Sequence, residues 1–142
     1  MTVDITVLSV IDELDDNGLT CDSSKTEISC PAVLTADGGV TTLLYKTEEN
    51  GQSTDTEITI SDGSVRVIRR GAIESDFIFE ENKSVRSLYK IPPYAFDAEI
   101  YTKKIRKSEK DGISEITIIY DMTVGEAKKS VRMKISYPGG SI

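Results

Sequence analysis

The sequence predicts an all-β protein that forms a single antiparallel, up-and-down β-barrel of about 8–10 strands, with little or no helix. Apolar and polar residues alternate along nearly every stretch of the chain, which is the two-residue period of a strand with one buried face. Turns containing Gly interrupt this alternation at intervals of about 8–14 residues. Because the connections are short, consecutive strands are expected to be antiparallel neighbours. About ten such strands would leave long exposed edges unless the sheet closed.

The turns and breaks set the bounds of the individual strands. Asn50-Gly51 and Asp62-Gly63 are strong turn signals, because these residue types tolerate positive φ. Pro92-Pro93 ends any hydrogen-bonded ladder and forms a corner. Pro31 removes one backbone donor from the second strand, so we expect an edge position or a bulge there. The predicted strands lie at residues 2–11, 19–35, 40–47, 55–61, 64–71, 73–80, 84–91 and 94–107, followed by a hairpin on either side of Gly125-Glu126.

On each predicted strand, one parity carries the apolar side chains and is expected to face the barrel interior. The clearest set lies in the last hairpin: Ile116, Ile118, Tyr120, Met122 and Val124, then Val131, Met133, Ile135 and Tyr137. The same rule turns Phe77 and Phe79, and also Phe96, Ala98 and Ile100, toward the interior. This parity therefore predicts the core.

Length and composition place the chain among soluble globular proteins. A chain of 142 residues is expected to form one domain over residues 1–142, with a disordered tail at 138–142. The N-terminal segment has neither the basic region nor the apolar run of a signal peptide, so we expect a cytoplasmic protein. Cys21 and Cys30 are then expected to be reduced, partly buried thiols.

The net charge of −7 is distributed unevenly along the chain. Residues 1–60 contain twelve acids but only Lys25 and Lys46 as bases, whereas the remaining residues contain twelve acids and fifteen bases. The overall acidity argues against DNA and membrane partners. The favoured interpretation is that acidic early strands lie beside basic late strands in a closed barrel. The alternative is a basic patch for an RNA or protein partner, built from Lys103, Arg106, Lys128 and Arg132.

The chain contains no histidine, which excludes most familiar catalytic and metal-binding chemistry. There is no Gly-rich phosphate loop that opens a helix, and Cys30 has no activating partner in the sequence. The segment from Glu13 to Ser24 resembles a calcium loop, but Ser24 occupies the place of the bidentate Glu. We therefore predict no catalytic residue, no metal site and no cofactor.

Arg69 is the residue that the pattern singles out, because it shares its parity with the apolar residues of its strand. An inward guanidinium needs acceptors, since a buried, unpaired cation is costly. Four tyrosines on inward parities could surround it, and such a group could hold a carboxylate or phosphate. The candidate ligand-binding residues are Arg69, Tyr45, Tyr89, Tyr120 and Tyr137. The alternative is a structural plug, in which Arg69 closes one mouth of the barrel by bonding to backbone carbonyls.

Several short segments resemble a bacterial family of unassigned function, DUF1934 or YwiB-like, found mainly in Firmicutes. The resemblance runs from about residue 3 to Tyr137 and rests on Val65–Gly71, Tyr89-Lys90, Ile118–Met122 and Ile135-Ser136-Tyr137. It implies a calycin-type barrel, the architecture of lipocalins, and no established activity.

The leading hypothesis is a small β-barrel that binds a partly apolar or anionic small molecule in its interior. A packed barrel that interacts with a protein or RNA is the second hypothesis. An enzyme of unknown type is the third. The sequence leaves the oligomeric state open.

Overall fold

Ten antiparallel strands and no helix make up the computed structural model, which describes residues 1–139. The strands are β1 (Thr2–Leu14), β2 (Thr20–Asp37), β3 (Val40–Glu49), β4 (Gln52–Ser61), β5 (Ser64–Gly71), β6 (Ser75–Phe79), β7 (Lys83–Ile91), β8 (Tyr94–Lys110), β9 (Ile113–Val124) and β10 (Ala127–Pro138). The all-β prediction is confirmed, because every predicted strand is present with its ends moved by a few residues.

The strands form one sheet in the order β6-β5-β4-β3-β2-β1-β10-β9-β8-β7. The first and last strands are therefore neighbours, and the seam falls between β6 and β7. Glu74 and Lys90 cross this seam by exchanging both backbone hydrogen bonds, at 2.9 and 2.8 Å. The Ser87 hydroxyl also donates to the Asp76 carbonyl oxygen at 2.6 Å. The sheet is thus a nearly closed up-and-down barrel, as the short connections predicted.

The two ends of the barrel are named after one inward residue of each. The Arg69 end carries the β1–β2, β3–β4, β5–β6, β7–β8 and β9–β10 turns. The Tyr137 end carries the other four turns, the start of β1 and the end of β10. Between them, the interior is filled by side chains of the inward parity. The largest fully buried ones are Phe79, Ile5, Leu43, Ile58, Ile100, Ile118, Ile135, Val65, Val67 and Thr102.

Gly71 ends β5 two residues after Arg69 and has a φ of +130°. A Cβ atom at this position would lie 2.3 Å from the Ser53 carbonyl oxygen of the adjacent strand. The same oxygen accepts a hydrogen bond from the Ala72 N–H at 3.0 Å. Only glycine fits this close approach, so the sequence fixes where β5 leaves the sheet and how near Arg69 lies to the end of the barrel.

Pro31 lies where β2 separates from β3. β2 pairs with β1 from Thr20 to Val33, but its pairing with β3 begins only at Val33. The predicted edge position of Pro31 is therefore confirmed. The earlier part of β2 has one free edge because no strand of the sheet pairs with it there.

Two expectations need correction. Cys21 is exposed, whereas Cys30 is partly buried as predicted. The two thiols lie on one continuous strand, about 30 Å apart at the usual rise per residue, so they cannot bond to each other.

Phe96 has the inward parity but remains 40% exposed, because it lies beyond the packed interior. Of the tail, Pro138 is the last residue of β10 and the Gly139 N–H donates to the Gly112 carbonyl oxygen at 3.2 Å. Residues 140–142 lie outside the described part.

Candidate functional site

A row of inward polar side chains crosses four adjacent strands near the Arg69 end. Tyr45 on β3 is opposite Thr56 on β4, which is opposite Arg69 on β5. Arg69 is in turn opposite Ser75 on β6. The Glu74–Lys90 bridge extends the row across the seam and sets Tyr89 of β7 beside Ser75. Because neighbouring strands are about 4.8 Å apart, these side chains form a continuous polar band on the inner wall.

Arg69 is half-buried in this band, and its charge acts on two of the tyrosines. Burial raises the pKa of the Tyr45 hydroxyl, and the Arg69 charge acts in the opposite direction. Burial likewise raises the pKa of Tyr120 to about 12, again opposed by Arg69. Both phenols are therefore neutral hydrogen-bonding groups near neutral pH. Within residues 1–139, the Arg69 guanidinium has no ion-pair or hydrogen-bond partner.

Two buried hydroxyl groups in residues 1–139 also lack partners. Ser75 Oγ lies in this band opposite Arg69, whereas Thr102 Oγ1 lies farther along the barrel, on the part of β8 beside the β6–β7 turn; the two residues are 5% and 0% exposed. Thr102 is opposite Tyr120 across β8 and β9. Buried polar atoms are normally hydrogen-bonded, so the unsatisfied Ser75 hydroxyl opposite an unpaired cation indicates a place where a polar group could be accommodated.

Aromatic and aliphatic side chains extend beyond the polar band along the inner side of the β7–β8 hairpin. We call Tyr89, Ile91, Tyr94 and Phe96 the aromatic shelf. Tyr89 is opposite Phe96, and Ile91 is opposite Tyr94. The Tyr94 and Phe96 rings stack at 6.3 Å, and Tyr94 is 65% exposed. The shelf is held in place from below, where the Tyr89 ring stacks on Phe77 at 5.9 Å. It therefore presents apolar surface to solvent at the mouth of the barrel.

The structure brings four of the five candidate residues together and separates the fifth. Tyr120 reaches the band from the facing wall, with its ring 4.7 Å from that of Phe79. Tyr137, by contrast, lies at the opposite end of the barrel. Burial raises the pKa of its hydroxyl, while hydrogen bonding by Ser114 and Thr41 acts in the opposite direction. Tyr137 has inward parity, as predicted, but it does not belong to the Arg69 group.

Two clefts on the surface of residues 1–139 are lined by residues other than Arg69. One, of about 350 Å³, lies along β3, β4 and β5, and its lining includes Tyr45 and Thr56. The other, of about 530 Å³, lies toward the Tyr137 end, between the β4–β5 turn, the β6–β7 turn and β8. Arg69 is only half-buried and Tyr94 at the same end is 65% exposed, so the Arg69 group opens to solvent at the mouth of the barrel. The expectation of a ligand in the barrel interior needs correction, because packed side chains fill that interior.

The acidic residues do not converge on the Arg69 group. Glu57, Glu74, Glu99 and Asp121 have the outward parity that the sequence predicts, and Asp121 pairs with Lys103 at 3.3 Å. The described residues hold no cluster of acidic or thiol side chains suited to a metal ion. In the calcium-like segment, Asp15 Oδ1 instead accepts hydrogen bonds from the Asn17 and Leu19 N–H groups, each at 2.9 Å. This carboxylate stabilises the β1–β2 turn.

The basic residues of the late strands lie on β8 and β10, and β9 carries none. Lys129, which shares the inward parity of Val131, pairs with Glu13 of β1 at 3.8 Å, which is the predicted kind of pair between late and early strands. Lys134, however, pairs with Glu115 of the neighbouring β9 at 3.3 Å. Part of the basic charge is therefore balanced within the late strands themselves.

Parity could have added several residues to the candidate site. Thr56 shares its parity with Ile58 and Ile60, and Ser75 shares its parity with Phe77 and Phe79. Ile91 and Tyr94 could not have been chosen in this way, because alternation does not show where the packed interior ends. Their role in the mouth became apparent only from the register of the strands.

The fold and the site define the class of protein. It is a small, nearly closed antiparallel barrel with one polar mouth whose rim is apolar. A model of the family described as "Domain of unknown function (DUF1934)" matches residues 6–135. The chain belongs to this family. The match covers nearly all of the barrel, from β1 to β10.

A similar sequence and a similar crystal structure both carry the name YwiB. The chain is 30% identical over 100 residues, 70% of each sequence, to the "Uncharacterized beta-barrel protein YwiB" of Bacillus subtilis (strain 168). The crystal structure of the YwiB protein from Bacillus subtilis matches with a TM-score of 0.78 and 25% identity, covering 99% of this chain and 94% of that one. These likenesses establish the barrel and its bacterial relative, and they assign no activity. Residues 1–139 include no helix with the length and hydropathy of a membrane span.

Proposed function

We propose that the protein binds a small amphipathic anion in the mouth at its Arg69 end. The carboxylate or phosphate head of the ligand would bond to the Arg69 guanidinium, and its apolar body would lie on the aromatic shelf. The observation that carries this proposal is an inward, half-buried cation without a partner in residues 1–139, opposite the buried Ser75 hydroxyl, which also lacks a partner.

The alternative role of Arg69 as a structural plug receives less support. A plug would require the guanidinium to donate hydrogen bonds to backbone carbonyls or to pair with a carboxylate. Arg66 shows what such a pairing looks like, because its guanidinium donates to both carboxylate oxygens of Asp76, at 2.8 and 2.5 Å. Arg69 has no equivalent contact in the described part of the chain, so its five donors remain available to a ligand.

The apolar half of the proposal rests on the aromatic shelf. Ile91 and Phe96 are 42% and 40% exposed, although both have the inward parity. A contiguous apolar surface next to a cationic group fits a molecule with an acyl or aryl body and an anionic head. Polar hydroxyls of Tyr45, Thr56 and Ser75 would supply the remaining hydrogen bonds to the head group.

The test compares the full-length protein with Arg69→Gln and Arg70→Gln in thermal-shift and calorimetric titrations. The probes are decanoate, decyl phosphate and the uncharged decanol, with nucleotides and phosphorylated metabolites as a wider panel. Arg70 is the matched control, because it carries the same charge one residue away on the exposed outer face. A probe at a hundred times its dissociation constant should add about 2.7 kcal/mol to the stability of the wild type.

Arg69→Gln should weaken binding of the anionic probes about tenfold to a hundredfold, because a charge-assisted hydrogen bond is lost. Decanol should bind weakly to all three proteins. Failure of every probe to bind the wild type, or equal affinities for Arg69→Gln and Arg70→Gln, would contradict the proposal.

A further inference from the structure

Half of β2 offers a backbone edge that no strand of the barrel covers. β2 pairs with β3 only from Val33 to Asp37. When the Val33–Leu44 register is extended, the end of β3 at Glu49 lies level with Ile28, so the earlier part of β2 runs past its neighbour. Residues 20–27 are exposed on both faces of the strand. An open strand edge of this length is a template for pairing with another strand.

The backbone groups that point outward from this edge can be identified. The Leu34 N–H donates to the Met1 carbonyl oxygen at 2.8 Å, and the Leu34 carbonyl oxygen accepts from the Met1 amino group at 3.3 Å. Leu34 therefore directs both its groups toward β1. The direction alternates along an antiparallel strand, and the β1–β2 register is unbroken from Val33 to Asp22. The odd-numbered residues of β2 consequently present their N–H and C=O groups to the free edge.

We propose that a second copy of this chain pairs with this edge, so that β2 of one protomer lies antiparallel to β2 of its partner. The two-fold axis passes through the sheet at Thr26. In this register each Lys25 is opposite the partner's Glu27, and each of these two edge-facing pairs exchanges two backbone hydrogen bonds. The outer faces of both barrels then lie on the same side of the joined sheet.

Charge selects this register over its neighbours. Sliding one strand by two residues in one direction sets Lys25 opposite the partner's Lys25. Sliding it by two in the other direction sets Glu27 opposite the partner's Glu27. Like charges directly opposite each other are destabilising, whereas opposite charges stabilise the pair. Slides by one residue bring edge-facing groups against groups that already bond to β1. The Thr26-centred register is therefore the self-complementary one.

The experiment measures the mass of the full-length protein in solution by sedimentation velocity, over concentrations up to about 1 mM, where weak pairing becomes visible. The wild type should form a dimer. Lys25→Glu and Glu27→Lys should each raise the dimer dissociation constant at least about tenfold, because each reversal turns both symmetric contacts repulsive. The double variant Lys25→Glu/Glu27→Lys should restore the dimer, since it exchanges the two charges.

Mixing the two single variants gives a stricter test. One chain then carries two acids and the other two bases at the opposed positions, so a mixed dimer should form although neither variant dimerises alone. Lys110→Glu, which makes the same charge change at the exposed tip of β8, should leave association unchanged. A wild type that stays monomeric throughout this concentration range, or a dimer that is insensitive to the reversals at Lys25 and Glu27, would overturn the proposal. Circular dichroism should show the same strand content in all variants.

Discussion

The two ends of the barrel contain the same kind of residue in different surroundings. At the Tyr137 end, the buried tyrosine lies beside Ser114 and Thr41, whose side chains hydrogen-bond with its hydroxyl group. At the Arg69 end, Thr56 hydrogen-bonds with Tyr45 in the same way, but the Arg69 guanidinium and the opposite Ser75 hydroxyl have no partner in residues 1–139. One end therefore satisfies its buried tyrosine internally, whereas the other leaves a cation and a hydroxyl group without partners. The difference shows that inward parity determines on which face of the sheet a tyrosine side chain lies, but does not determine its role.

The rims of the two ends also differ in the side chains that they expose. The Arg69 end continues into the aromatic shelf, which is exposed although it has the parity of the core. At the Tyr137 end, polar contacts join neighbouring parts of the rim. One of them is the hydrogen bond that Lys107 Nζ donates to the Ser61 carbonyl oxygen at 2.7 Å. A protein often carries unsatisfied groups and exposed apolar surface at a cost in stability where it binds something.

The largest effect at the Arg69 end is expected at alkaline pH. The Tyr120 pKa is raised to about 12 in the folded protein, by burial above all, against about 10 for an unperturbed tyrosine. Between these values the unfolded chain has lost this proton and the folded protein has kept it. Stability should therefore fall as the pH rises, by about 1.4 kcal/mol per pH unit from this group. Urea unfolding at a series of pH values measures the slope.

Tyr120→Phe should remove this part of the slope, because the phenylalanine cannot ionise in either state. Tyr94→Phe serves as the control, since Tyr94 lies at the same end but is 65% exposed. An unchanged alkaline slope in Tyr120→Phe would show that its hydroxyl is not buried as described.

A smaller effect is expected at Arg69, where the substitution should raise the free energy of unfolding rather than lower it. Arg69→Met removes a cation that has no partner in the described residues and replaces it with an apolar side chain of similar length. The free energy of unfolding without ligand should rise by about 1 kcal/mol at neutral pH. Arg70→Met on the outer face should change stability by less than about 0.5 kcal/mol. A clear loss of stability in Arg69→Met would instead establish the structural plug.

The smallest effect is expected at the Tyr137 end. Tyr137→Phe removes a hydroxyl group that Ser114 and Thr41 satisfy, so it should lower the free energy of unfolding by about 0.5–1 kcal/mol. Tyr120→Phe at neutral pH should cost less, because the Tyr120 hydroxyl has no hydrogen-bond partner within residues 1–139. Chemical denaturation of both variants at pH 7 measures the difference. Equal losses would remove the distinction between the two ends.

Much of this fold could be predicted from the alternation of residues. The inward side of every strand depends only on a two-residue period, which is why the predicted placement of Arg69 on the inner wall agrees with the structure. The position of Pro31 at an edge was also predictable, since proline cannot donate to a ladder. Conversely, the exposure of Cys21 could not be predicted, because alternation does not reveal whether a neighbouring strand extends far enough to cover it.

The separation of Tyr137 from the other tyrosines marks the limit of that reasoning. Parity states which way a side chain points, but its height along the barrel depends on how the strands are staggered around the sheet. That stagger sets Arg69 level with Tyr45 and Ser75 and moves Tyr137 to the opposite mouth. Local sequence thus determined the strands, their inner faces and the family of this protein, because each depends on neighbouring residues. Only the closed sheet decided which residues meet at each mouth and which edge stays open, since both depend on pairings between distant segments.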